Sequence, residues 1–442
     1  MTVVDRPATG RRPAPGPSAP APEPEPGRVR RALARGRAGR EAVTDYVQSF
    51  LDRPLTVYYL LIGATALLLL MGLIMVFSAS SVMAFEEEGD SFHYVKKQAT
   101  WMAIGIPGAF LASRMRIADI RRFAFPGFLL SLGLLGAVVK FGISTGGNKN
   151  WLALGPVTIQ PAEIAKLAIV LWAAHIFAYK ERRLRSVKQM LIPVVPGLML
   201  VIGLVLAGRD LGTALVLGAI LLAMLWVVGV PFRVFGLALS GLAVGAFYMA
   251  ATSAHRLARL TTFVDPFADY LRTGWQPAHG FYALATGGVF GQGIGASTQK
   301  WGGLGEAHTD FIFAVIGEEL GLVGTLLVLV LFLTLAYAGI RVAQDTDQAF
   351  VRYFAFGVVA WLMSQMVINV GMVLGLLPVI GIPLPLISYG GSALLPSLAA
   401  VGLLIGCARR QPEAAAALAS RRKGRSRGIS AGRLPGASRP RG

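Results

Sequence analysis

Glu306-Ala307-His308-Thr309-Asp310 is a polar run that ends where a long apolar stretch begins, and Gly317-Glu318-Glu319-Leu320-Gly321 follows inside that stretch. A carboxylate at such a mouth could act as a general base, taking a proton from a hydroxyl within hydrogen-bond reach. A plainer account makes Thr309 or Asp310 a helix N-cap, since either side-chain oxygen accepts from the first helical N–H groups. That account leaves Glu318 unexplained. It lies eight residues beyond Asp310, about 12 Å along a helix axis, at a depth where a carboxylate needs a partner or a wet cavity.

Other charged residues stand out against apolar surroundings. Glu163 and Lys166 share a helix face at i, i+3, which favours a structural salt bridge, and Asp210 opens another apolar run, where it could serve as a cap. With Glu318 these residues are expected to form a buried polar network. Arg256, Arg259, Arg272 and Lys300 place cations around one long loop. Anionic substrate phosphates would account for them, because charge-assisted bonds to phosphate are strong, and so would contact with lipid headgroups. Gly287, Gly288, Gly291, Gly293 and Gly295 imitate a nucleotide-binding loop, yet no strand precedes them. Tight turning or close backbone approach is their expected role. Cys407 is the single cysteine and the five histidines are scattered, so any metal would need oxygen ligands.

These groups need elements to hold them, and the composition says which. Of the 442 residues, 54% are hydrophobic and 15% charged, against about a quarter charged in soluble domains. The net charge of +19 comes mainly from polar tails and short loops. That pattern fits the positive-inside rule, and nucleic acid is not an expected partner. Apolar runs near the roughly 20 residues that cross a bilayer recur about ten times, near 55–79, 98–113, 122–140, 160–178, 188–207, 210–228, 232–251, 310–338, 350–373 and 386–407. The fold class is therefore an all-α polytopic membrane protein. An even count and basic loops after the second and fourth spans put both termini in the cytoplasm. The expected organisation is a disordered tail over 1–53, a transmembrane domain over 54–408 with a structured extracytoplasmic loop over 252–309, and a disordered basic tail over 409–442.

The motifs carry a resemblance as well. Trp151-Leu152 through Gly155-Pro156 to Gln160-Pro161-Ala162-Glu163 and Lys166, then Asp210-Leu211-Gly212-Thr213, the stretch Arg259 to Gly321, and Gly375-Leu376-Leu377-Pro378 through Pro385 to Ser388-Tyr389-Gly390-Gly391-Ser392 resemble the blocks of the SEDS family of peptidoglycan glycosyltransferases. Arg209 stands where that family usually has Pro before the Asp, and Gly305 where it has Pro before the Glu. The resemblance implies polymerisation of lipid II into β-1,4-linked glycan strands by an inverting enzyme using an undecaprenyl-diphosphate-linked donor. It matches Asp310 to the family's catalytic Asp. Substrate contacts are expected from Arg256, Arg259, Lys300, Glu306, His308 and Ser388. The departing diphosphate requires cations, or a divalent cation held by carboxylates. A class B penicillin-binding transpeptidase and other division proteins are the implied partners, at the inner membrane of the septum. The lead-in Glu306-Ala307-His308, Gly317-Glu318-Glu319 and the long polar ends fit the division-associated branch better than the side-wall elongation branch. A lipid II flippase is the competing reading from a different class.

Overall fold

The computed structural model describes residues 53–145, 148–155, 157–251, 262–263, 265–301 and 304–420. Arg256 and Arg259, and the tails over 1–52 and 421–442, lie outside the described residues. The helices are α1 (Thr56–Glu88), α2 (His93–Arg114), α3 (Ile117–Phe141), α4 (Pro161–Lys180), α5 (Val187–Leu191), α6 (Val194–Ala207), α7 (Leu211–Val228), α8 (Phe232–Ala251), α9 (Trp275–Gly287), α10 (Ile312–Gln344), α11 (Ala349–Val373) and α12 (Gly391–Arg409). Among the described residues eight helical segments are long and apolar enough to cross a membrane, with α5 and α6 counted together. The remaining two expected spans are α2, whose first turns carry Lys96, Lys97 and Gln98, and α8, which contains a shorter apolar stretch over Phe232–Tyr248.

Two boundaries differ from the sequence reading. The first helix continues to Glu88 and ends on Gly89 in the left-handed region (φ 70°). At 1.5 Å per residue, its 33 residues reach about 50 Å, well past an apolar layer of roughly 30 Å. Glu86 to Glu88 are therefore its last helical turn, nine residues beyond the expected end of the span near 79. At the other end residues 412–420 are helical, inside the segment expected to be disordered.

Helix α4 is the centre of the bundle. It packs against α3, α7, α11 and α12, while α12 lies along α2 and α10 along α1 and α11. Its buried face reads Ala165, Ile169, Val170, Trp172 and Ala173, small and large apolar residues that let neighbouring helices approach closely. Pro161 sits at its N-terminus, where a missing N–H costs nothing.

Between α3 and α4 the chain forms a small antiparallel sheet that hydropathy does not signal: β1 (Ile143–Thr145), β2 (Asn148–Leu154) and β3 (Val157–Ile159), in the order β1-β2-β3. Leu152 pairs with Ile159 and Leu154 with Val157. Asn148 and Asn150, two residues apart on β2, share one face of it.

The long helix α10 is not continuous. Gly321 has φ 66° and ψ −161°, a conformation open essentially to glycine alone. Residues 288–293 lie along this break: Gln292 and Gly293 N–H donate to the carbonyls of Glu318 and Glu319, and Leu322 and Val323 N–H donate to those of Gly288 and Val289. A Cβ at Gly321 would run into the Gly291 backbone. The expected backbone-first role of the glycine run is thus met, and its target is the chain's own helix.

Candidate active site

Asp310 lies two residues before α10, in the wall of a cavity of about 300 Å³ inside the bundle. The N-cap position of α10 is Phe311, which has no side-chain acceptor, so neither Thr309 nor Asp310 is the N-cap. Thr309 instead donates to the Glu306 carboxylate at 2.7 Å. The backbone around Asp310 is held from two other elements. Asn369 of α11, fully buried, donates from Nδ2 to the carbonyls of Asp310 and Ile382, both at 2.7 Å. Ser388 Oγ donates to the Thr309 carbonyl at 2.6 Å and accepts from Leu384 N–H at 2.8 Å. Gly381, with φ 77°, leaves room for the carboxylate: a Cβ there would lie 3.1 Å from Asp310 Oδ2. Such bracing keeps a reacting group in place before substrate arrives.

The cavity brings Asp310 together with Glu306, Glu163, Lys166, Gln160 and Thr213. Lys166 Nζ donates to Glu163 Oε1 at 2.6 Å, and both side chains are almost wholly buried. The ammonium also lies 5.7 Å from the centroid of the Trp361 ring, a favourable position for a desolvated cation. The expected salt bridge is present, and it stands in the wall of the Asp310 cavity.

Asp210 is the N-cap of α7, Oδ1 accepting from Thr213 N–H at 2.9 Å. Its Oδ2 accepts from Thr213 Oγ1, Asn150 Nδ2 and Gln160 Nε2 at 2.9, 3.1 and 3.3 Å. Arg209 before it has φ 63°, which the proline ring cannot adopt. The departure from Pro therefore comes with a different turn into α7, while the capping carboxylate is kept.

Several expected substrate contacts sit elsewhere. Lys300 is not in the wall of this cavity: its Nζ bonds Glu319 Oε1 at 3.1 Å, the Gly295 carbonyl at 2.7 Å and Ser78 Oγ at 3.2 Å, with its side chain 3% exposed. Glu318 accepts from Ser297 Oγ, Thr298 N–H and Thr298 Oγ1 at 2.5, 2.8 and 2.8 Å. It belongs with Glu319 in a second polar cluster under the 288–301 segment, apart from Glu163, Lys166 and Asp210. A charged group at that depth must be paired, and the loop folds down to do so. Ser388 is buried and holds backbone, as above. His308 is also buried, its ring 4.7 Å from Tyr94 and 5.3 Å from Tyr389; Tyr389, and not His308, borders the cavity.

Burial holds the His308 pKa below its ordinary value, partly offset by Glu306 and Glu87. A histidine kept neutral in the folded state stabilises fully above its unfolded value of about 6.5 and loses that contribution as pH falls below it. The wild type is therefore expected to lose thermal stability between about pH 7 and pH 5 more steeply than His308→Phe, which keeps the ring contacts. Melting in detergent across that range checks it. Parallel slopes would mean that His308 titrates as it does in the unfolded chain.

Polar residues that the charge-based reading passes over complete the wall: Asn148, Asn150, Gln160, Gln276 and Gln365. Their signal in sequence is faint, an amide residue amid apolar neighbours. Among the described residues no three or more His, Cys, Asp or Glu side chains are grouped so that they could hold a metal ion. These residues do not build a divalent-cation site.

The family model for the FtsW, RodA and SpoVE cell cycle proteins matches residues 58–413. The chain belongs to this family. It is 39% identical to the probable peptidoglycan glycosyltransferase FtsW of Mycobacterium tuberculosis over 372 residues, which are 84% of this chain and 71% of that one. In structure it is similar to a chain of a peptidoglycan synthase complex whose polymerization and crosslinking are structurally coordinated, with TM-score 0.65, 29% identity and coverage of 80% and 97%. The rod shape determining protein RodA of Thermus thermophilus is similar too, with TM-score 0.58, 27% identity and coverage of 82% and 99%. Membership in the FtsW, RodA and SpoVE family spans the whole helical bundle, and the braced Asp310 cavity lies within it.

Proposed function

We propose that this chain is a division-type peptidoglycan glycosyltransferase that polymerises lipid II at the outer face of the cytoplasmic membrane. The observation that carries the reading is the placement of Asp310: a residue whose backbone is braced by Asn369 and Ser388 and which lines a polar cavity in the helical bundle. In the reaction the acceptor sugar's hydroxyl attacks the anomeric carbon of the donor, the new C–O bond forms as the bond to the lipid diphosphate breaks, and the configuration inverts. Asp310 takes the hydroxyl proton. Arg256 and Arg259, which precede α9 in the sequence, are the proposed partners of the departing diphosphate. Lys300 is withdrawn from that role by its pairing with Glu319.

A flippase would need a polar path through the membrane. Beyond Lys166, helix α4 buries Ile169, Val170, Trp172 and Ala173, an apolar plug that favours chemistry at one face over transit. The relatives named FtsW favour division over elongation. Both termini in the cytoplasm, a septal location and a class B penicillin-binding transpeptidase partner complete the reading. The resemblance to a chain of a peptidoglycan synthase complex supports the last of these.

Purified protein incubated with its transpeptidase partner and lipid II is expected to yield a ladder of glycan strands on a gel. Lipid II that crosses vesicle bilayers without any polymer forming would replace the enzyme reading by the flippase.

A further inference from the structure

The charged residues lining the Asp310 cavity among the described residues are Glu163, Glu306, Asp310 and Lys166. Three carboxylates against one ammonium, which is already bonded to Glu163, make a poor receptor for a diphosphate. The same wall carries hydrogen-bond acceptors without donors. Glu163 Oε2 and Asn150 Oδ1 are buried and have no partner among the described residues, and Glu163 is 2% exposed. Buried acceptors without a partner, on residues that line a cavity, are a reason to look for a ligand that donates.

Asp210 explains why the amides present that end. A carboxylate can only accept, so Asn150 and Gln160, both within hydrogen-bond reach of Asp210 Oδ2, must turn their NH₂ groups toward it. Their carbonyl oxygens are then the ends left for the cavity that both residues line. Asp210 itself lies behind them and does not line the cavity.

We infer that Asp210 is a positioning residue that, by fixing the Asn150 and Gln160 amides, builds with Glu163 an acceptor wall for the hydroxyl and acetamido N–H groups of a neutral sugar, while the diphosphate stays outside this cavity. The inference rests on the proposed glycosyl transfer and adds which part of the substrate the cavity takes.

The test turns the wall around. In Asp210→Asn the carbonyl can still cap α7, since Asn caps about as well as Asp. Its NH₂ then faces the two amides and draws their oxygens away from the cavity. The expected result is a rise of about 10-fold or more in KM for lipid II with kcat little changed, because the lost bonds hold substrate and transition state alike. Adding Asn150→Asp to Asp210→Asn gives the new amide at position 210 a carboxylate to bond and leaves the second oxygen of that carboxylate for the sugar, so most of the loss should be recovered. Asn150→Leu leaves the cap intact and should raise KM in the same way, which keeps the test available if Asp210→Asn inserts poorly.

Unchanged KM in Asp210→Asn or in Asn150→Leu overturns the inference. So does an Asp210→Asn defect that the double variant fails to relieve, since capping alone would then explain it. Wild-type protein assayed alongside separates this from the proposed function: polymer from wild type with unaltered KM in the variants sinks the acceptor wall alone, whereas no polymer from wild type removes both.

Discussion

Asp310→Asn is expected to insert and fold like the wild type and to lose glycan polymerisation by about 10²- to 10⁴-fold, the usual cost of removing a general base. The folding half of this expectation comes from the bonds around the residue. Phe311 and not Asp310 is at the N-cap of α10, so no capping carboxylate is removed. The main-chain bonds from Asn369 to the Asp310 carbonyl and from Ser388 to the Thr309 carbonyl do not involve the altered side chain. Asn has the size of Asp and fits the space beside Gly381. What it lacks is the capacity to take up a proton while staying within reach of the acceptor hydroxyl. A matched thermal midpoint together with an absent glycan ladder would place the defect in chemistry. Wild-type ladders from a stable Asp310→Asn protein would remove Asp310 from the mechanism, and with it the strongest physical reason for preferring a polymerase to a flippase.

Helical spans were legible in the sequence because a bilayer demands long apolar runs, and their polar interruptions marked the residues that needed explanation. Glu163, Lys166, Asp210 and Asp310 all proved to be near one cavity for that reason. The roles within that set depended on contacts between distant segments. Asp210 as a cap could be read from its neighbour Thr213, whereas its hold on Asn150 and Gln160, 60 and 50 residues away, could not. The small sheet escaped because its strands are short and lie between two apolar helices, although Gly146-Gly147-Asn148 is a turn signal between them. Ser388 and His308 were misplaced for another reason. A motif places residues near a site, but it does not say whether a side chain faces the substrate or the backbone of the next loop.

Lys300→Met separates the two roles that have been attached to this lysine. Lys300 Nζ and Glu319 Oε1 are 3.1 Å apart with side chains 3% and 0% exposed. Ser78 Oγ of α1 lies 2.6 and 2.7 Å from the two oxygens of the same carboxylate, so the cluster ties α1, the 288–301 segment and the broken helix α10 together. Removing the cation leaves Glu319 charged and buried, a change that typically costs about 3–5 kcal/mol out of a total stability of about 5–15 kcal/mol. Lys300→Met is therefore expected to lower folded yield and thermal midpoint sharply, with activity falling alongside because the loop leads on to Glu306 and Asp310. Adding Glu319→Gln removes the stranded charge while its carbonyl can still accept from Ser78, so the double variant should regain most of the lost stability. A lysine that served the substrate diphosphate would behave otherwise: the single variant would accumulate at wild-type levels, lose activity only, and gain nothing from Glu319→Gln. Size-exclusion yield, melting and polymerisation measured on the same three proteins distinguish these patterns, and normal accumulation of Lys300→Met would overturn the ion-pair role.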